Sequence, residues 1–118
     1  MNELGVFLKK LRIENGEVLL DMAKRLGVSA AFLSAVENNR RSAPLSWVDT
    51  ISTEYQLSPV QREELLEGIN STIKQVRMDI GKSSKQQRNC ALAFARKFDD
   101  LSDTDIRELM EILEKRGN

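Results

Sequence analysis

The feature that most constrains this chain is a break of register at Gly27. Met22, Ala23 and Leu26 fall at helical spacing, and so do Leu33 and Val36, but the two sets cannot share one continuous helix. Residues 19–26 are therefore one helix, Gly27 and Val28 turn the chain, and Ser29 caps a second helix over residues 29–37. Ala23 stays small because the second helix crosses close to it. Gly27 can take a positive φ, where a Cβ would clash. The unit is a helix-turn-helix.

The remaining apolar pattern is also helical. Leu4, Phe7, Leu8 and Leu11 form a stripe over residues 4–14, ended by Asn15 and Gly16. Pro44 is expected at the first position of another helix, with Trp47, Val48, Ile51 and Tyr55 as its buried stripe and Trp47 as core rather than a stacking platform. Ser58 and Pro59 restart the chain as cap and first residue, and Glu63 and Glu64 complement the helix dipole. Leu66, Ile69, Ile73, Val76 and Ile80 follow at spacings of 3, 4, 3 and 4, an a/d seam that predicts a helix through Ile80. Residues 81–84 read as a linker or kink. A helix over 85–98 carries Cys90, Ala91, Phe94, Ala95 and Phe98 on one side. Ser102 with Asp105 resembles a capping box, and Ile106, Leu109, Met110 and Leu113 form the stripe of the last helix.

Three segments and one proline carry a family resemblance: LKKLRIENG at 8–16, DMAKRLGVS at 21–29, FLSAVENNRR at 32–41, and Pro44. Over residues 4–57, about half of the chain, the sequence resembles the Cro/CI-like (XRE-type) helix-turn-helix regulators. The resemblance implies a lambda-repressor-like helix-turn-helix bundle over residues 1–65; the helical periodicity of the rest adds a C-terminal helical dimerisation or partner-binding region over 66–118, so the whole fold is expected to be all-α. The resemblance further implies that Arg12 pairs with Glu37, pinning the first helix to the third as a structural contact. It also makes the helix over 29–37 the recognition helix, docked in the major groove of double-stranded DNA. The matching base-facing positions are Ser29, Ala30, Ala31, Ser34 and Ala35. Alanine can meet a thymine methyl but cannot hydrogen-bond, so direct readout is expected to be weak and tilted towards T-containing steps. Specificity then leans on DNA shape and half-site spacing. Asn39 stands where the family has glycine and keeps the left-handed cap, while Asn38, Arg40 and Arg41 match phosphate-contacting positions. For the two arginines a solvated loop is the alternative. Val18 and Leu19 stand where the family has Thr-Gln, so the cap of that helix falls to Glu17 or water and one phosphate contact is lost. Leu19 and Leu20 are left to cover core or partner surface.

Composition narrows the function classes. The chain has no histidine and one cysteine, which rules out an internal disulfide and any Ser/His or Cys/His pair. No Gly-rich phosphate loop is present. An enzyme, a cofactor or a metal site is therefore not expected, and Cys90 reads as a small buried hydrophobe. No apolar run approaches the ~20 residues of a membrane span, and lysines already interrupt the first ten residues, so a cytoplasmic location without membrane association is expected. The net charge is zero, yet residues 71–98 carry seven basic groups against one acidic, and residues 99–118 carry three against seven. The two segments either attract each other or are ordinary solvated surface.

A DNA-binding unit of about 65 residues could fold alone, which leaves the later stripes unexplained. Exposed, they would form patches that a monomer rarely tolerates. Leu66, Ile69, Ile73, Val76, Leu109 and Leu113 are accordingly expected at a homodimer interface that sets two recognition helices ~34 Å apart, one DNA turn. The function expected is a sequence-specific dimeric repressor. The alternative is an antitoxin-like interaction module, which caps a toxin-like partner with its C-terminal helices and autoregulates its own operon.

Overall fold

A computed structural model of the chain describes residues 1–116. Its elements are α1 (Glu3–Glu14), α2 (Leu19–Leu26), α3 (Ala30–Glu37), α4 (Trp47–Glu54), α5 (Pro59–Thr72), α6 (Lys85–Lys97) and α7 (Asp103–Arg116), with a short 3-10 turn at Phe98–Asp100. No strand occurs among the described residues, so the all-α expectation holds. The chain forms two compact units, Met1–Val76 and a second one that begins at Arg77.

Local chemistry sets the helix starts of the first unit. The Asn2 side-chain oxygen accepts from the Gly5 N–H at 2.7 Å and caps α1. Val18 has no polar group to cap α2, and only the reciprocal half of a capping box forms: the Asp21 carboxylate accepts from the Val18 N–H at 2.9 Å. Glu17, expected in that role, instead accepts from the Tyr55 hydroxyl at 2.6 Å and pairs with Arg25 at 3.2 Å. Gly27 closes α2 at φ +70°. Ser29 caps α3, its Oγ accepting from the Phe32 N–H at 3.0 Å. Pro44 is not the first residue of α4 but opens a turn ahead of it, its carbonyl accepting from the Trp47 N–H at 3.1 Å. Ser58 and Pro59 start α5 as expected, and Gln61 completes the capping box.

The core gathers Leu4, Leu8 and Leu11 of α1, Met22 and Ala23 of α2, Leu33 and Val36 of α3, Trp47 and Ile51 of α4, and Leu65 and Ile69 of α5. Helix α1 packs on α3 and α5, α2 on α3 and α4, and α4 on α5. Each fully buried Leu or Ile contributes about 1.5–3 kcal/mol through area removed from water. A Cβ on Gly68 would lie 3.3 Å from the Leu4 Cα, so the missing side chain lets α5 lie close on α1.

The seam predicted through Ile80 does not form, because α5 ends at Thr72. Asn70, Ser71 and Thr72 are poor helix formers, and their hydroxyls turn back on the backbone: Ser71 Oγ donates to Gly68 O at 2.6 Å and Thr72 Oγ1 to Ile69 O at 2.7 Å. Residues 73–80 are not helical. Ile69 is wholly buried in the core, Leu66 and Ile73 are half-buried, and Val76 is 82% exposed, so these four share no common face. The first unit also reaches beyond residue 65, to Val76.

In the second unit, Ser84 and Gln87 form the capping box of α6, and Ser102 and Asp105 exchange bonds of 3.0 and 3.1 Å at the start of α7. None of its described residues is buried. Cys90, expected inside, is exposed, because α6 buries none of its side chains. Leu109 is half-buried and Leu113 is exposed.

Candidate nucleic-acid interface

Helix α3 is held from one side only. Leu33 and Val36 enter the core. The buried Glu37 carboxylate takes two bonds from the Arg12 guanidinium, 2.6 Å to Oε2 and 3.1 Å to Oε1, and Arg12 Nη1 also lies 3.4 Å from Met22 Sδ. This is the structural pair that the family resemblance implies. Asn2 adds a second clamp on the same helix end: its N–H donates to Glu37 O at 2.8 Å, and its Nδ2 to Val36 O at 2.8 Å and Asn39 Oδ1 at 2.9 Å. A Cβ on Gly5 would come within 2.9 Å of Glu37 O, so α1 meets α3 at a point where only glycine fits. Phe32 packs its edge on Trp47, with ring centroids 6.0 Å apart.

With those residues turned inward, the other side of α3 carries Ala31, Ser34, Ala35 and Asn38 at i, i+3, i+4 and i+7, one continuous stripe. Ala31 and Asn38 are exposed, Ser34 and Ala35 half-buried. Asn38 Nδ2 donates to Ser34 O at 2.9 Å. The two remaining base-facing candidates lie elsewhere. Ser29 is exposed but serves as the cap, and Ala30 packs partly against the core.

The chain then turns through Asn39, at φ +64° in the left-handed region, and Arg40 N–H returns to Ala35 O at 2.8 Å. Beyond the arginines, Ser42 Oγ donates to Thr72 O at 2.9 Å and Ala43 N–H to Thr72 Oγ1 at 2.9 Å. Arg40 and Arg41 thus sit on a short loop fixed at both ends. Both are exposed, and among the described residues neither has a carboxylate partner, whereas Arg12, Arg25 and Arg62 are each engaged in an ion pair. The site consists of a shallow, short-chained helix face beside two uncompensated positive charges.

A family model described as a helix-turn-helix domain matches residues 3–65. The chain belongs to this helix-turn-helix family. No curated protein and no solved structure gave a significant match. The matched segment covers α1 to α4 and the first half of α5, in agreement with the XRE-type resemblance of the same residues. Helix-turn-helix domains are DNA-binding folds of transcription regulators, which sets the broad functional class. No described helix is long and apolar enough to cross a membrane.

Two residues that position the helix-turn-helix site escape sequence reasoning. Asn2 caps α1, and nothing in the sequence signals that its amide also reaches residues 36 and 39. Thr72, hidden inside an apparent a/d seam, fixes the loop from the far end of the domain. A third group explains why one more cation is unavailable to a phosphate. Arg25 lies 4.2 Å from the centroid of the Tyr55 ring, pairs with Glu17, and donates to Glu54 O at 3.1 Å. Burial, with the hydrogen bond to Glu17, pushes the Tyr55 hydroxyl up to about 12, and the contact with Tyr55 raises Arg25 above its ordinary range.

Proposed function

We propose that this protein is a sequence-specific regulator that inserts α3 into the major groove of double-stranded DNA and represses transcription as a homodimer. The observation that supports this most is the open stripe of Ala31, Ser34, Ala35 and Asn38 ending beside the unpaired Arg40 and Arg41. Ser34 and Asn38 supply the polar contacts, the alanines meet thymine methyls, and the arginines neutralise backbone phosphates. Because few hydrogen bonds reach the bases, selectivity rests on the phosphate register and on the shape of the DNA.

The test is operator selection from genomic fragments, followed by titration over a range of salt. Replacing Arg40 and Arg41 together by alanine should lower the slope of log affinity against log salt by about 2, close to one per lost phosphate contact. An unchanged slope would refute their role. A second reading, an antitoxin-like module, draws support from the exposed apolar residues of α6 and α7. It requires DNA binding to be secondary, and it predicts that the double variant still neutralises a partner protein.

A further inference from the structure

The end of α5 is closed in a way that leaves one cation without a partner. Lys74 stands two residues beyond the helix, where a lysine can turn back onto the open carbonyls of the last turn. Those carbonyls are already taken. Gly68 O accepts from Ser71 Oγ, Ile69 O from Thr72 Oγ1, Asn70 O from the Ile73 N–H at 3.1 Å, and Thr72 O from Ser42 Oγ. Ile73 leaves the helix in an extended conformation, φ −89° and ψ 122°, and packs partly against the core. Extended backbone alternates sides, so the Lys74 side chain that follows turns to solvent. It is exposed, and among the described residues no carboxylate pairs with it. The nearest carboxylate before it in sequence, Glu67, lies in a groove with Glu3, Val6 and Lys10, and the next one after it, Asp79, is balanced by Arg77.

The residue that fixes the Arg40 and Arg41 loop also fixes the start of this segment. Thr72 holds Ser42 and Ala43 through two bonds of 2.9 Å. Arg41 lies one residue from Ser42 and Lys74 two from Thr72, so no more than about 4 Å and about 7 Å of chain separate them from the bonded pair. All three cations belong to the unit Met1–Val76, which also carries α3. Phosphates on one DNA strand follow each other every ~3.4 Å along the axis, so a cluster of this span meets several of them.

We infer that Lys74 is a third phosphate-binding cation of the α3 site, placed by Thr72 beside Arg40 and Arg41. The inference rests on the DNA-binding reading and extends it to the far end of the domain, where the helix that completes the core also supplies charge to the DNA-facing surface.

Phosphate contacts act on any sequence, so the test titrates the full chain with a mixed-sequence duplex over a range of salt. Lys74→Ala should lower the slope of log affinity against log salt by about 1, Lys74→Arg should keep it, and the triple variant with Arg40→Ala and Arg41→Ala should lower it by about 3. The fluorescence of Trp47, buried in the same unit, should stay unchanged, since Lys74 makes no bond within the fold. Lys10→Ala is the control for bulk charge and should leave the slope as it is. A slope lowered in the Arg40 and Arg41 double variant but not in Lys74→Ala overturns the inference and leaves the DNA-binding reading standing. An equal loss in Lys10→Ala assigns the effect to net charge and overturns it as well. A parent chain that binds no duplex overturns both.

Discussion

Removing the Glu37 carboxylate tests the contact that holds α3. Arg12 is 7% exposed, and Glu37→Ala leaves its guanidinium with Met22 Sδ as the remaining side-chain partner. Breaking one side of a buried ion pair leaves an uncompensated charge, which costs about 3–5 kcal/mol. For a unit of this size that is a large part of a total near 5–15 kcal/mol, and the melting temperature should fall by on the order of 20 °C. Trp47 is the sole tryptophan and is buried in the first unit, so its fluorescence follows urea or thermal unfolding of that unit alone. The second half of the test replaces both partners, Arg12→Met with Glu37→Met. This variant should recover most of the loss, because no charge is then left unpaired. A single variant within about 1 kcal/mol of the parent, or a double variant worse than the single, would refute the reasoning.

Two further outcomes follow from the site. Tyr55 is the only tyrosine, so its absorbance on alkaline titration reports one group, with an expected midpoint of about 12. Since the folded value lies above the unfolded one, the stability it contributes is complete below pH ~10 and is lost as pH rises towards the folded value. Tyr55→Phe should remove that part of the alkaline loss, and an ordinary midpoint of ~10 would contradict the burial of the hydroxyl and its bond to Glu17. Thr72→Val deprives the buried Ala43 N–H of its acceptor, at about 1–3 kcal/mol, and should also weaken DNA binding by loosening the Arg40 and Arg41 loop. Thr72→Ser should restore both, and a valine variant equal to the parent in both measurements would show that the loop does not depend on this bond.

Much of the fold was legible because its signals were local. The break at Gly27, the caps at Ser29, Ser58 and Ser102, and the stripes of α1 and α4 all depend on neighbours within a turn or two. What escaped depended on distance or on competition. The spacing of Leu66, Ile69, Ile73, Val76 and Ile80 is right for a helix, yet the hydroxyls of Ser71 and Thr72 outcompete its continuation, and Thr72 is further tied to Ser42 and Ala43 some thirty positions back. Cys90 sat in an apolar run, but periodicity says which face is apolar, not whether anything covers it. Glu17, one of the two expected caps of α2, is engaged instead by Tyr55, a residue 38 positions away.

The one-sided anchoring of α3 separates holding from reading. Leu33, Val36 and Glu37 keep the helix in place, while the side chains of Ala31 and Ala35 make no polar bond and the Ser34 hydroxyl only accepts a long one, 3.5 Å, from the exposed Asn38 amide. Exchanges at such positions usually move stability by no more than about 0.5 kcal/mol. The lineage of such a chain is thus free to rewrite its outer face by single steps while its scaffold stays unchanged. In that sense the three short residues are an evolvable surface, and if α3 reads DNA as proposed, a new operator is within reach of one or two codon changes.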